Sequence, residues 1–545
     1  MTEVRTKIQI KYPFSKVIIK RNVYRDSIEL LKITEDIKKI PGIIQALIGM
    51  ATDTNINLLK LLGFEINESV TSSDLIIAIG ASSEESLNNA INEAIRLLEQ
   101  GFVSHEFRYY DLDTALKENP DVDIALISIP GQYVKDVAFK LIDKGINLHI
   151  FSDNVPIHDE IEIKKRALER NVLVLGPGAG TVIIKGVGLG FANKVLVGDV
   201  GIVAASGTGL QEVSSLLSNI GIGISYGLGV GGNDVKDSVG GIMTIQSLNV
   251  LMNDEDTRII GLISKVPDKN TENYIINYII NHVSKPVVIN FLGGSSDLKV
   301  KKENITFAAT LHQAILKIAK LRSEEDYMKA VKEYAMDFDE IFKMASELRS
   351  LLSHEQKYIR GLFVGGTFTH ESQVILKELI NNLYSNSPIE GVNKLEDPFK
   401  SIYNSVIDMG DEVFTRGRPH PMIDPTLRIN RILNEVKDTN IAILLMDFVL
   451  GYGSHNDPVG AHIEALKQAT EELRDRNKYL IIIAHICGTK DDPQNLQEQI
   501  NKLKSLDNAI IMPTNALAAF LAGMIVSDLP REKLKNIYYR LLMVE

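Results

Sequence analysis

The chain of 545 residues contains no tryptophan and a single cysteine, Cys487, so it has no intramolecular disulfide and no cysteine cluster for zinc or an iron–sulfur centre. A reducing, cytoplasmic setting suits that usage. No Gly-Lys dipeptide occurs anywhere, which excludes a Walker A phosphate loop. Long apolar runs are also missing: the most hydrophobic stretch, ALAAFLAGMIV, is about half the length of a membrane span. The N-terminal MTEVRTKIQIKYPF alternates charge with apolar residues and lacks the continuous core of a secretory signal. There is no surplus of positive charge either. A net charge of −11 repels nucleic-acid backbones, so an anionic ligand must be held by local N–H groups and a few placed arginines.

What is present is an α/β pattern long enough for several cores, because single cores stop growing at about 250–300 residues. Residues 1–105 read as strand, helix, strand, helix (KVIIK, DSIELLKITEDIKKI, LIIAIGA, SLNNAINEAIRLLEQ), a small α+β unit of ferredoxin-like or regulatory type. Across 106–194 short buried strands (DIALISIP, NLHIF, NVLVLGPG) alternate with helical stretches, the pattern of a parallel, Rossmann-like sheet. Residues 195–320 and 356–545 each repeat strands that end in glycine or small residues. The two are read as flavodoxin-like domains, joined by a charged helical segment over 321–355.

Three glycine turns are candidate anion sites. In GDVGIVAASGTGLQEVSSLL a strand turns into a helix at Ser206, Gly207, Thr208 and Gly209, where free N–H groups and the helix dipole favour an anion. The same composition also serves as a plain strand-to-helix turn. GLGVGGND matches G-x-G-x-x-G at Gly227, Gly229 and Gly232, but it follows the second strand of its domain and not the first. NAD binding is therefore rejected, and Gly231 and Gly232 are read as lining phosphate. GPGAG, residues 176–180, closes a strand at the edge where open α/β sheets meet ligands.

The densest polar cluster is DMGDEVFTRGRPHPMIDPTLR. In an extended segment Arg416 and Arg418 would point the same way and grip one carboxylate, with His420 aimed by its flanking prolines. A solvated or subunit-contact loop is the plainer alternative. In DFVLGYGSHNDP the residues Asp447, His455 and Asp457 are read as a hydrogen-bonded turn in preference to a metal site.

The order DIALISIP, NVLVLGPGAG, GDVGIVAASGTGLQE, GLGVGGND, PVVINFLGG resembles the α subunit of succinyl-CoA synthetase. The later GLFVGGTF, VIDMGD and ILLMDFVLGYG resemble the carboxy-terminal domain of its β subunit. With YRDSIELLKITEDI and FTRGRPHPMIDPTLR the chain is similar to the FdrA family over nearly its whole length. The resemblance implies a CoA-type pocket at Gly131, Asp153, Gly176 and Gly178, and the departures from it matter as much. In ITFAATLHQA, Phe307 stands where the ligases carry their phosphate-bearing histidine, and Ser264 stands where they have a glutamate. His312 is read as a surface or cap histidine, and the ATP-grasp domain is missing. What the resemblance then implies is a carbamoyltransferase subunit acting on oxamate or oxalurate with phosphate or carbamoyl phosphate, in anaerobic allantoin or purine breakdown. No cofactor would be required, and the partners would be further subunits of the same enzyme and other copies of the chain. The alternatives are an acyl-CoA synthetase subunit that uses CoA, and a non-catalytic scaffold whose N-terminal unit senses a metabolite.

Overall fold

The structure is a computed structural model that describes residues 12–23, 25–66, 68–100, 111–293 and 302–544. Most of the N-terminal signal reading, and the boundary at 105, lie outside the described residues. The chain forms two compact units. The first comprises residues 1–118 together with 410–430, and the second comprises 119–409 and 431–545.

The first unit is built on β1 (Phe14–Lys20), β2 (Ile43–Met50) and β3 (Leu75–Ala81), an antiparallel sheet in the order β1-β3-β2. Alternation along the central β3 divides its side chains between two cores. Leu75, Ile77 and Ile79 pack with Leu30, Ile33 and Ile37 of the helix Ser27–Lys38 and with Ala90 and Ala94 of the helix Glu84–Gln100. Ile76 and Ala78 pack with Leu58 and Leu59 of the helix Asp53–Leu61 and with the stacked pair Tyr12 and Phe64. The segment 410–430 joins this unit through side chains of the same helix: Thr54 Oγ1 donates to the Val413 carbonyl, and Asn55 Nδ2 donates to the Gly417 carbonyl at 3.1 Å.

The second unit opens with the parallel strands β4 (Ile124–Ile127), β5 (Asn147–Ile150) and β6 (Val174–Leu175), in that order. A seven-stranded sheet follows, made of β7 (Thr181–Ile184), β8 (Val187–Gly190), β9 (Val197–Ala205), β10 (Ile224–Gly229), β11 (Ile259–Ser264), β12 (Val287–Phe291) and β13 (Ile305–Phe307), in the order β13-β12-β11-β9-β10-β7-β8. The hairpin β7–β8 pairs antiparallel with β10. Residues 181–190 thus belong to this sheet and not to the preceding parallel one, a correction to the boundary drawn at 194. The last sheet contains β14 (Tyr358–Phe363), β15 (Leu383–Ser385), β16 (Asn393–Lys394), β17 (Asn404–Asp408), β18 (Ile441–Val449), β19 (Ile481–Cys487) and β20 (Ala509–Met512). All its pairs are parallel, in the order β16-β15-β17-β14-β18-β19-β20. Its central strands β14, β18 and β19 are mostly buried and apolar because helices cover both faces, with Arg360, Asp447 and His485 as buried polar exceptions.

Helices Gly207–Asn219, Leu311–Arg322, Gly366–Leu379 and Asn515–Val526 pack on one another and carry mostly buried residues. The last of these is the apolar ALAAFLAGMIV stretch, a core helix; among the described residues no helix is long and apolar enough to cross a membrane. The 321–355 segment forms the helices Glu324–Tyr334 and Phe338–Ser350, and Tyr334 anchors it by donating to the Leu216 carbonyl.

Candidate functional site

Two strand-to-helix turns meet at the centre of the second unit. After β9, Ser206 takes an extended conformation and caps the helix Gly207–Asn219, its Oγ accepting from Gly209 N at 3.1 Å. After β14, Gly365 precedes the helix Gly366–Leu379. The two ends touch: Ser206 Oγ and Thr367 Oγ1 share a hydrogen bond, and a Cβ on Gly365 would lie 2.8 Å from Thr208 Cγ2. Small residues are required for helix ends to come so close. Each helix begins Gly-Thr and places a glutamate five residues after its first glycine, Gly207 to Glu212 and Gly366 to Glu371.

Two adjacent helix N-termini concentrate positive partial charge, which an anion relieves. Asp447, at the end of β18, provides part of that relief by accepting from Val364 N at 2.8 Å and Gly365 N at 2.9 Å. A Cβ on Gly366 would meet Asp408 Oδ2 at 2.5 Å and Lys265 Nζ at 2.9 Å, so an ammonium and a second carboxylate flank the second turn. Gly207 has open space, with nothing nearer than 3.8 Å to such a Cβ. Of the predicted anion group, Ser206, Gly207, Thr208 and Gly209 thus form one turn of a two-helix cradle. Gly365, Gly366, Thr367 and Lys265 were not picked out from sequence; the shared Gly-Thr-x-x-x-Glu beginning was the signal available.

One turn deeper the same helices carry a buried ionisable cluster. Glu212 accepts from His485 Nε2 at 2.8 Å, and His485 Nδ1 lies 3.1 Å from the Met512 carbonyl. With an acceptor at each ring nitrogen the imidazole needs both protons. Its pKa is raised: burial opposes the charge, but the Glu212 carboxylate outweighs it. Glu371 accepts from Leu311 N at 2.7 Å and Asn515 Nδ2 at 2.8 Å, and burial pushes its carboxyl up to about 7. Burial likewise pushes the Cys487 thiol up, away from nucleophilic chemistry.

The predicted CoA-type residues come together at the carboxyl ends of β4, β5 and β6. A Cβ on Gly131 would clash with the Asn154 and Asp153 carbonyls, and one on Gly176 with the Ile150 carbonyl at 2.3 Å, while Gly178 donates its N–H to Ser152 and stands open. Gly227 and Gly229 lie within β10. Gly231, at φ +85°, packs against the Pro177 carbonyl, so its lack of a side chain is a packing requirement, whereas Gly232 is open. This loop is pinned from below by the buried Lys164, which donates to Glu160 at 2.7 Å, Asp234 at 2.9 Å and the Val230 carbonyl at 3.0 Å.

The arginine loop departs from its expected geometry. Glu412–Thr415 forms a helical turn and Gly417 takes φ +69°, so the segment is not extended and alternation does not apply. Arg416 is exposed and pairs with Glu412, while Arg418 is buried and donates to Asp424 at 2.5 Å. His420 is half-buried; desolvation of its ring lowers its pKa to about 4, and its Nδ1 accepts from Met422 N at 3.2 Å. All three belong to the first unit. Phe307 ends β13, and Ser264 ends β11 with its hydroxyl buried. His312 is a core residue and not the surface or cap histidine expected: Nδ1 lies 3.1 Å from Thr514 Oγ1, and burial brings its pKa to about 4. His455 and Asp457 form a hydrogen-bonded turn, Asp457 N donating to His455 Nδ1 at 3.0 Å, while Asp447 belongs to the cradle.

Residues 362–525 match the CoA-ligase family model, and residues 13–107 match the model for the AllF heavy metal-associated domain. The chain is 37% identical over 507 residues to YahF of Escherichia coli (strain K12), covering 92% of this chain and 96% of that one. It is 28% identical over 237 residues to subunit alpha 1 of the ADP-forming succinate–CoA ligase of Archaeoglobus fulgidus, covering 41% and 79%. Among solved structures, the dinucleotide forming acetyl-coenzyme A synthetase 1 of Ca. Korarchaeum cryptofilum matches with a TM-score of 0.27 and 15% identity, over 77% and 84% of the two chains. The metal implied by the second family model does not fit the residues present. Soft metals take thiolates, the only cysteine is Cys487 in β19, and no group of three His, Cys, Asp or Glu is placed to hold an ion among the described residues.

Proposed function

Because the chain belongs to the FdrA family of succinyl-CoA-synthetase-like proteins, we propose that it is the phosphate-binding subunit of a cytoplasmic carbamoyltransferase acting on oxalurate. Phosphate, held by the N–H groups at Ser206–Gly209, attacks the carbamoyl carbon. The bond from that carbon to the oxamate nitrogen breaks, the nitrogen takes the electron pair and a proton, and carbamoyl phosphate and oxamate leave. The supporting observation is the pair of helix N-termini in contact at Ser206 and Thr367, with open space at Gly207. Such preorganised donors stabilise a developing oxyanion as well as the phosphate. Phe307 at the position of the ligases' histidine carrier supports a transfer that does not pass through a phosphohistidine. This reading requires no cofactor. Its partners are further subunits of the same enzyme and other copies of the chain, as the relatives named as ligase subunits suggest.

A second reading, an acyl-CoA synthetase subunit, is favoured by the gathering of Gly131, Asp153, Gly176 and Gly178 at the strand ends. These would hold CoA, whose thiol would take up the acyl group, and Gly178 is open to receive a ligand. The assay is phosphate-dependent cleavage of oxalurate by the protein purified with its natural partners, followed by Gly207→Val. Loss of carbamoyl phosphate formation of about tenfold or more is expected in the variant, since a side chain would enter the open space over the donors. Acyl-CoA formation from CoA, ATP and a carboxylic acid, with no carbamoyl transfer, would replace the first reading by the second.

A further inference from the structure

Arg418 has a second, separate story within the first unit. One arm of its guanidinium, Nη2, is held by Asp424 Oδ2, whose other oxygen accepts from Thr426 N. The other arm, Nη1, is buried and has no hydrogen-bond partner. A buried charged donor left without an acceptor is costly, so its persistence asks for an acceptor from outside the chain. Arg418 lines a cavity of about 30 Å³ between the arginine loop, the helix Ser27–Lys38 and β2. That volume seats about two or three water-sized groups.

We infer that this cavity is a binding site for a small monocarboxylate, whose oxygens meet Arg418 Nη1. Three features set the ligand class. A guanidinium arm can be satisfied only by an acceptor. Leu30, Ile48 and Leu62 form apolar walls that suit a short carbon body, while Ser27, Thr34 and Asn55 add polar groups to the lining. Asp424, ionised beside Arg418, cancels much of the arginine's charge, so the site tolerates one negative charge and disfavours a dianion. Lys38, half-buried and paired with Glu35 at 2.9 Å, also lines the cavity on the helix side. The site stands or falls independently of the carbamoyl-transfer reading, which rests on the other unit.

The test is isothermal titration of the full chain with acetate, with oxamate and with inorganic phosphate. Saturable binding of a monocarboxylate at one site is expected, with phosphate weaker. Arg418→Lys, which keeps the Asp424 partner but lacks the second arm, should weaken binding by about tenfold or more. Lys38→Glu, a change at the edge of the fold that leaves Arg418 untouched, should weaken it by about threefold. Absence of binding by either carboxylate, tighter binding of phosphate, or affinity unchanged in both variants would overturn the inference.

Discussion

Replacing Glu371 by glutamine tests whether the buried cluster beneath the cradle is ionised at a cost. Burial raises this carboxyl to about 7 from 4.5; the Asn515 hydrogen bond works against the rise and the Glu212 charge adds to it. The folded state therefore binds a proton more tightly than the unfolded chain between about pH 4.5 and 7. Its contribution to stability is full below that window, declines as pH rises through it and is level above. The gap between 4.5 and 7 corresponds to about 3 kcal/mol at 1.36 kcal/mol per pH unit. His485, also raised, loses its contribution as pH rises through its own folded pKa, but it is present in both proteins. Glu371→Gln keeps the shape and cannot ionise. In urea titrations from pH 4 to 8 the variant should match the wild type at the acid end and become the more stable by up to about 3 kcal/mol at pH 8. A difference that stays constant across pH would refute the reasoning.

Lys164→Met leaves Glu160 and Asp234 buried without their cation and should cost about 3–5 kcal/mol; calorimetry would register it as a lower melting temperature. Gly231→Val combines a left-handed backbone with a Cβ 2.3 Å from the Pro177 carbonyl, and it should destabilise by more than about 1 kcal/mol in chemical denaturation.

The first cradle turn was legible because it is local: an apolar run, a capping serine and three small residues within a few positions. The second was not, since Gly365 and Gly366 read as an ordinary strand end and acquire meaning only through Asp447, Asp408 and Lys265, which lie far along the chain. The same distance hides the fate of the arginine loop, which is tied to the first unit by hydrogen bonds from Thr54 to Val413 and from Asn55 to Gly417. The alternation argument for Arg416 and Arg418 failed at one residue, Gly417, whose positive φ turns the chain. His312 shows the converse. Its helical setting was readable, but the packing of its helix against Asn515–Val526, which makes it a core residue, depends on tertiary structure.

The interrupted first unit also imposes a schedule on synthesis. Its amino-terminal part leaves the ribosome early, yet the segment 410–430 that completes it arrives almost three hundred residues later. At roughly 5–20 residues per second, that is a wait of about 15–60 s. During this interval the amino-terminal part lacks the partners that Val413 and Gly417 later give to Thr54 and Asn55. Closing so long a loop late makes assembly of this unit one of the last events in the folding of the chain. A nascent chain stalled before residue 410 would carry the first unit unfinished.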